Sequence, residues 1–121
     1  MRGFVVNGDY WNINVVSPGS PDLIDRTGVP RLATANPLTH TISIDSSLRA
    51  PLIDKVLLHE VAHAITMSRS ILDWLKAYVP SDLYHNLEEW VAWFVENYSI
   101  EANVLASEAL GRPLCVGGYC R

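Results

Sequence analysis

His59, Glu60 and His63 are the residues of this chain whose types and spacing combine into a recognisable chemistry. They fall in the run His59-Glu60-Val61-Ala62-His63, with the two imidazoles four positions apart. On a helix that is about one turn, so both rings leave the same face and can grip one ion. Glu60 lies beside them. A zinc ion held through neutral imidazoles lowers the pKa of its water toward ~7, and a neighbouring carboxylate can take the proton as that water attacks a carbonyl. A catalytic zinc takes three protein ligands plus water, so a third ligand is expected elsewhere in the chain.

The elements around the run must hold it in place. From about Pro51 the pattern is helical, with Leu52, Val56, His59 and His63 at helical spacing and Leu57, Leu58, Val61 and Ile65 on other faces. A helix so apolar is central to its domain, and polar residues on it need a reason. Chance occurrence is the plain alternative for a pattern with two free positions. Against it, two histidines and a glutamate left without partners in such a helix would each cost on the order of a few kcal/mol.

Ser70 to Val79 is expected as a shorter helix ended by Pro80, with Ile71, Trp74, Leu75 and Tyr78 apolar. Ser81 or Asp82 can cap a third helix running to about Leu110 and stopped by Gly111 and Pro113. It carries Leu87, Trp90, Val91, Phe94, Val95 and Tyr98 on one stripe. Its glutamates Glu88 and Glu89 are the candidates for the third ligand. The stripe places Glu88 at the apolar edge and Glu89 nearer the polar side, which favours Glu88.

The strand-like Thr41 to Asp45, the HEVAH helix and the later glutamate-bearing helix resemble the gluzincin metallopeptidases, in their minimal, phage-type form, whose larger relative is thermolysin. The resemblance covers approximately 42 to 98 and implies Glu89 as the third ligand. In thermolysin the ligand glutamate is followed by an apolar residue at +2, a small one at +3 and apolar ones at +5 and +6. Glu89 is followed by Val91, Ala92, Phe94 and Val95 at those places. The family's acidic residue at +4, which supports a ligand histidine, is Trp93 here. The resemblance also implies an edge strand that holds an extended substrate by backbone pairing, with Thr41 to Asp45 as that segment.

The first half has short strands at Phe4 to Val6 and Trp11 to Val16, broken at Asn7, Gly8 and Asp9. Trp11, Ile13 and Val15 alternate with Asn12 and Asn14, as in a strand with one buried face. A loop opens at Pro18 and runs through Gly28 and Pro30, and Asn36-Pro37 marks another break before the half-buried strand Thr41 to Asp45. The expected fold is α+β, a small, mostly antiparallel sheet packed on the HEVAH helix and the long third helix, forming one domain over 1–121.

The chain of 121 residues carries a net charge of -4 and no run of Lys or Arg, which argues against nucleic acid as a partner. No apolar run reaches spanning length, and Asn7, Asp9, Asn12 and Asn14 interrupt the N-terminal stretch, so a soluble, cytoplasmic protein without membrane association is expected. The leading function is a zinc-dependent peptidase with one Zn2+ per chain, His59, His63 and Glu89 as ligands and Glu60 as general base. Its partner is a peptide or protein substrate. The alternative is a catalytically silent zinc-binding regulatory protein on the same fold.

His85, four positions before Glu89, could polarise the substrate carbonyl, and Tyr84 could do so through its hydroxyl. Each is also explained as an ordinary surface or packing residue. His40 is expected in a loop, and the four tryptophans in core and rim packing. In the tail, Cys115 and Cys120 are expected to face each other across a tight hairpin turning at Gly117-Gly118, at a separation that a disulfide closes if the pair is of the non-hydrogen-bonded kind; a pair of free thiols is the other reading. A thiolate latch on the zinc is the sharper alternative.

Overall fold

The computed structural model describes residues 1–116 and the backbone pairing of 119–120; the expected turn at Gly117-Gly118 lies outside the described residues. Four strands form one sheet, β1 (Phe4–Val6), β2 (Asp9–Val16), β3 (Ala33–Asn36) and β4 (Thr41–Asp45), in the order β1-β2-β4-β3. β1/β2 and β3/β4 are antiparallel, and the central pair β2/β4 is parallel. Helices α1 (Leu52–Ser68), α2 (Ile71–Leu75) and α3 (Tyr84–Leu110) follow, then a hairpin of β5 (Cys115–Val116) and β6 (Tyr119–Cys120). The architecture is α+β, as the sequence leads one to expect.

Asn7 and Gly8 make the turn between β1 and β2, both at positive φ, which is the backbone a two-residue hairpin with right-handed twist requires. Asn7 Nδ2 donates to the carbonyl of Ser68, and Trp11 Nε1 donates to its hydroxyl at 2.8 Å. The first hairpin is thereby fastened to the end of α1.

Trp11, Ile42, Ile44, Ala33 and Ala64 form the buried core, with Ile53, Val56, Leu57 and Val61 of α1 packed against it. α1 touches β1 and β3 on this side and α3 on its other, which matches a helix apolar most of the way round. Val15 departs from the expected pattern, at 53% exposed, where β2 has run past its pairing with β1, which ends at Trp11. β4 departs in the other direction. It is an interior strand, buried at four of its five positions, and Ser43 and Asp45 are enclosed along with the isoleucines.

β3 was not legible in the sequence. Ala33, Thr34, Ala35 and Asn36 include two residue types depleted in strands, and what makes them a strand is the tertiary pairing with β4. The edge strand beside the helices is therefore β3, and the expectation that Thr41 to Asp45 forms the substrate-holding edge is corrected.

α2 is shorter than expected and passes into a 3₁₀ turn at Lys76–Tyr78. Leu72 is its buried residue, while Trp74 and Tyr78 stand 73% and 84% exposed. Neither Ser81 nor Asp82 caps α3; they lie in a 3₁₀ turn leading into it. Gly111 ends α3 with φ 68, a left-handed conformation that glycine adopts without a Cβ clash. Of the four tryptophans only Trp11 is core; Trp74, Trp90 and Trp93 are exposed. No helix among the described residues is long and apolar enough to cross a membrane.

Candidate metal centre

α1 delivers His59 and His63 to the same side, their ring centroids 5.0 Å apart. α3 crosses beside it, and Ala92, 1% exposed, is the buried residue of α3. A methyl side chain there lets the two helices approach closely, and Glu89, one turn earlier, reaches across. Glu89 Oε1 lies 3.3 Å from His63 Nε2 and Glu89 Oε2 lies 3.5 Å from His59 Nε2. Candidate ligand atoms of the three residues all lie within 4.8 Å of one another. Four-coordinate zinc with bonds of about 2.0–2.1 Å keeps its ligand atoms roughly 3.3 Å apart, so this donor set fits such an ion.

The neighbouring glutamates of α3 have different partners. Both oxygens of Glu88 accept from Arg26 Nη2, at 3.0 Å each, which ties α3 to the loop preceding β3. The helical-stripe preference for Glu88 as third ligand is thus not met, since its carboxylate is engaged away from the histidines.

Glu96 was missed in the sequence. Its Oε2 accepts from His59 Nδ1 at 3.0 Å, and its Oε1 lies 3.8 Å from Lys55 Nζ, one turn before His59 on α1. With Nδ1 so occupied, His59 is held with Nε2 toward Glu89 and His63. Glu96 stands seven residues after Glu89, two helical turns on the same face, whereas the +4 position is Trp93, which is exposed. The signal that could have found it is the series His85, Glu89, Ala92, Glu96, which recurs at helical spacing and forms the inward side of α3. That series is mostly polar, so apolar periodicity passes it over.

Glu60 is 7% exposed, and burial raises its affinity for a proton against the lowering influence of His63 and His59. Its carboxylate makes no hydrogen bond among the described residues and lines the cleft. His59 is pushed up to about 9, first by its contact with Glu89, with Glu96 adding and burial opposing. Glu89 is held well below the usual carboxylate range, chiefly by His59 and His63.

The cleft has a volume of about 580 Å³ and runs from the histidines along β3 to the loop 21–27. Ala33 and Ala35 line it. Asp45 N–H donates to the carbonyl of Leu32, so the ladder alternation leaves the N–H and C=O of Ala33 and Ala35 turned away from β4. Opposite them, His85 lines the cleft and Tyr84 does not; the Tyr84 hydroxyl donates to the carbonyl of Lys76 at 3.4 Å. His40 sits in a turn at φ 49 and stacks on Trp11, 4.9 Å between centroids, apart from the histidine pair.

Asp25 organises the loop over the cleft. It accepts from the N–H of Thr27 and Val29, from the Thr27 hydroxyl, and from Arg31 Nε at 2.8 Å. These donors hold its carboxyl well below the usual range, the Thr27 hydroxyl foremost. In the tail, Cys115 is opposite Cys120 in the β5/β6 register and is disulfide-bonded, which removes its thiolate from any latch on the metal site.

Chemically, the arrangement can hold one divalent ion, place a buried carboxylate beside it and present an unpaired strand edge along the approach. Compared with known proteins, the chain matches no family model, no curated protein and no solved structure.

Proposed function

We propose that this protein is a zinc-dependent peptidase, similar to the minimal gluzincins, that hydrolyses peptide bonds of an extended peptide or protein segment. The observation that carries the reading is the His59, His63 and Glu89 donor set with buried Glu60 at the same cleft. Zinc, when bound, supplies a Lewis acid and a water of lowered pKa.

The chain's own residues supply the rest. His59, His63 and Glu89 hold the ion, and Glu96 fixes the ring of His59. Glu60 takes a proton during attack and returns it to the departing amine; its enclosed position, which raises its affinity for a proton, suits that exchange. Ala33 and Ala35 pair with the substrate backbone, which selects an unfolded chain over a folded surface. His85, which lines the same cleft, would donate to the substrate carbonyl. The reading includes a cytoplasmic location, although disulfides such as that of Cys115 rarely persist in a reducing compartment.

The rival reading, a silent zinc-binding regulatory protein, drew support from Trp93 in place of the family's acid. Glu96 at His59 removes that support. Hydrolysis of an unstructured protein, lost on Glu60→Gln with zinc content unchanged, is the expected result. Stoichiometric zinc with no hydrolysis by the unsubstituted protein would favour the rival.

A further inference from the structure

Arg31 stands two residues before β3 and lines the cleft together with His59, Glu60, His63 and Glu89. Its Nε is fixed on Asp25, and Asp25 is itself fixed by Thr27 and Val29, so the guanidinium is held in place. Its two terminal nitrogens make no hydrogen bond among the described residues. Asp25 first, then Glu89 and Glu60, strengthen its hold on its proton, which places its charge within the field of the metal-site carboxylates. The other arginine of the cleft, Arg26, gives a single terminal nitrogen, Nη2, to both oxygens of Glu88. Arg31 is the cleft cation nearer the start of β3, and both of its terminal nitrogens are without a hydrogen bond among the described residues.

Strand direction says which part of a substrate would meet those donors. A peptide pairing antiparallel to β3 runs with its C-terminal end toward the start of β3, and antiparallel pairing is the slightly more stable mode. Arg31 lies just beyond that start, and a cleft of about 580 Å³ holds only a few residues. The paired fork of a guanidinium matches a carboxylate in geometry as well as in charge.

We infer that Arg31 receives the free C-terminal carboxylate of the substrate, so that the substrate class is peptides ending in a free acid a short distance beyond the cleaved bond. This rests on the peptidase reading above. Asp25 is paired to Arg31 Nε, and the charge of Glu89 would be offset by the ion it holds, so neither bars such a group from the two remaining nitrogens of Arg31. An amide terminus offers no charge to the fork and loses that contact.

The test measures binding by fluorescence anisotropy to zinc-loaded Glu60→Gln protein, which cannot turn the ligand over. The probe is one short extended peptide, labelled at its N-terminus, prepared as free acid and as C-terminal amide. The acid is expected to bind about tenfold or more tightly than the amide. Adding Arg31→Ala should weaken the acid alone and erase the difference, and Arg31→Lys should restore part of it. Equal binding of acid and amide to the Arg31 protein overturns the inference without recourse to any Arg31 variant, as does a preference that survives Arg31→Ala, or no binding of either peptide. Hydrolysis of an unstructured protein by the unsubstituted chain is scored separately, so indifference to the terminus with intact hydrolysis removes this inference and leaves the peptidase reading standing.

Discussion

His59 Nδ1 donates to Glu96 Oε2 at 3.0 Å, from one helix to another across 37 residues of sequence. The contact fixes the ring so that its second nitrogen faces Glu89 and His63. Such outer partners typically contribute 10–100-fold to metal affinity. Glu96→Gln is therefore expected to weaken zinc binding by roughly tenfold, and Glu96→Ala by up to about a hundredfold, in a chelator competition titration. Trp93→Ala, at the position where the related peptidases carry an acid, should leave affinity unchanged. An unaltered affinity in Glu96→Ala would show that the ring is held by packing alone.

Glu89→Ala should abolish stoichiometric zinc, because among the described residues Glu89 is the carboxylate grouped with both imidazoles. Glu88→Ala should retain zinc and instead loosen the loop that Arg26 ties down, raising KM more than it lowers kcat. Metal analysis of the two variants side by side decides the matter, and zinc loss in Glu88→Ala alone would reverse the assignment.

Zinc uptake should release a proton at neutral pH. His59 is pushed up to about 9 in the metal-free protein, above its ordinary value of 6.5, so at pH 7 the ring is charged. Because the folded value is the higher one, this group's contribution to metal-free stability is complete below pH 6.5 and lost as pH rises through about 9. Zinc binds the neutral ring and must displace that proton, so affinity climbs by up to about tenfold per pH unit from this group alone. Calorimetry at pH 7 in two buffers of different ionisation enthalpy should report release of about one proton or more. A buffer-independent enthalpy would contradict it.

Removing residues from Leu114 onward should leave zinc content and hydrolysis unchanged, with or without reductant. Cys115 is disulfide-bonded, and none of the described tail residues lines the cleft. A truncated protein more active than the full chain would bring the latch back.

The parts of this molecule that were legible in sequence are those where local pattern and tertiary role agree. The break read at Asn7 and Gly8 is the turn between β1 and β2, although Asp9 and Tyr10 already belong to β2; Gly111 ended its helix, and the HEVAH spacing put both imidazoles on one side of α1. Glu89 was reachable only by comparison with a known ligand pattern, because hydrophobic periodicity on α3 points elsewhere. Trp90, Phe94 and Tyr98 make a continuous aromatic stripe, with adjacent centroids 5.5 Å apart, yet all three are exposed. The side of α3 that meets α1 is built from Glu89, Ala92 and Glu96. Two of those residues are polar and contact the histidines of α1, so the usual rule that the apolar face goes inward gave the wrong face. β3 was hidden for a related reason: its alanines carry no strand preference, and only the pairing with β4 makes it a strand.

That open edge is also a liability. Backbone groups left unpaired along a strand attract any other strand, including one from a second copy of the same chain or from a partly unfolded neighbour, and sheet growth of that kind leads to aggregates. Here the hazard is contained by dimensions and charge. β3 is four residues long, too short for an extended intermolecular ladder, and Arg26 and Arg31 stand upstream of it at the loop end. Asn36 is followed by Pro37, which lacks an N–H and stops the ladder at the other end. The segment is bounded at both ends against a long foreign strand, and lengthening it, for instance by replacing Pro37 with a β-branched residue, would turn a cleft wall into a seed for fibres.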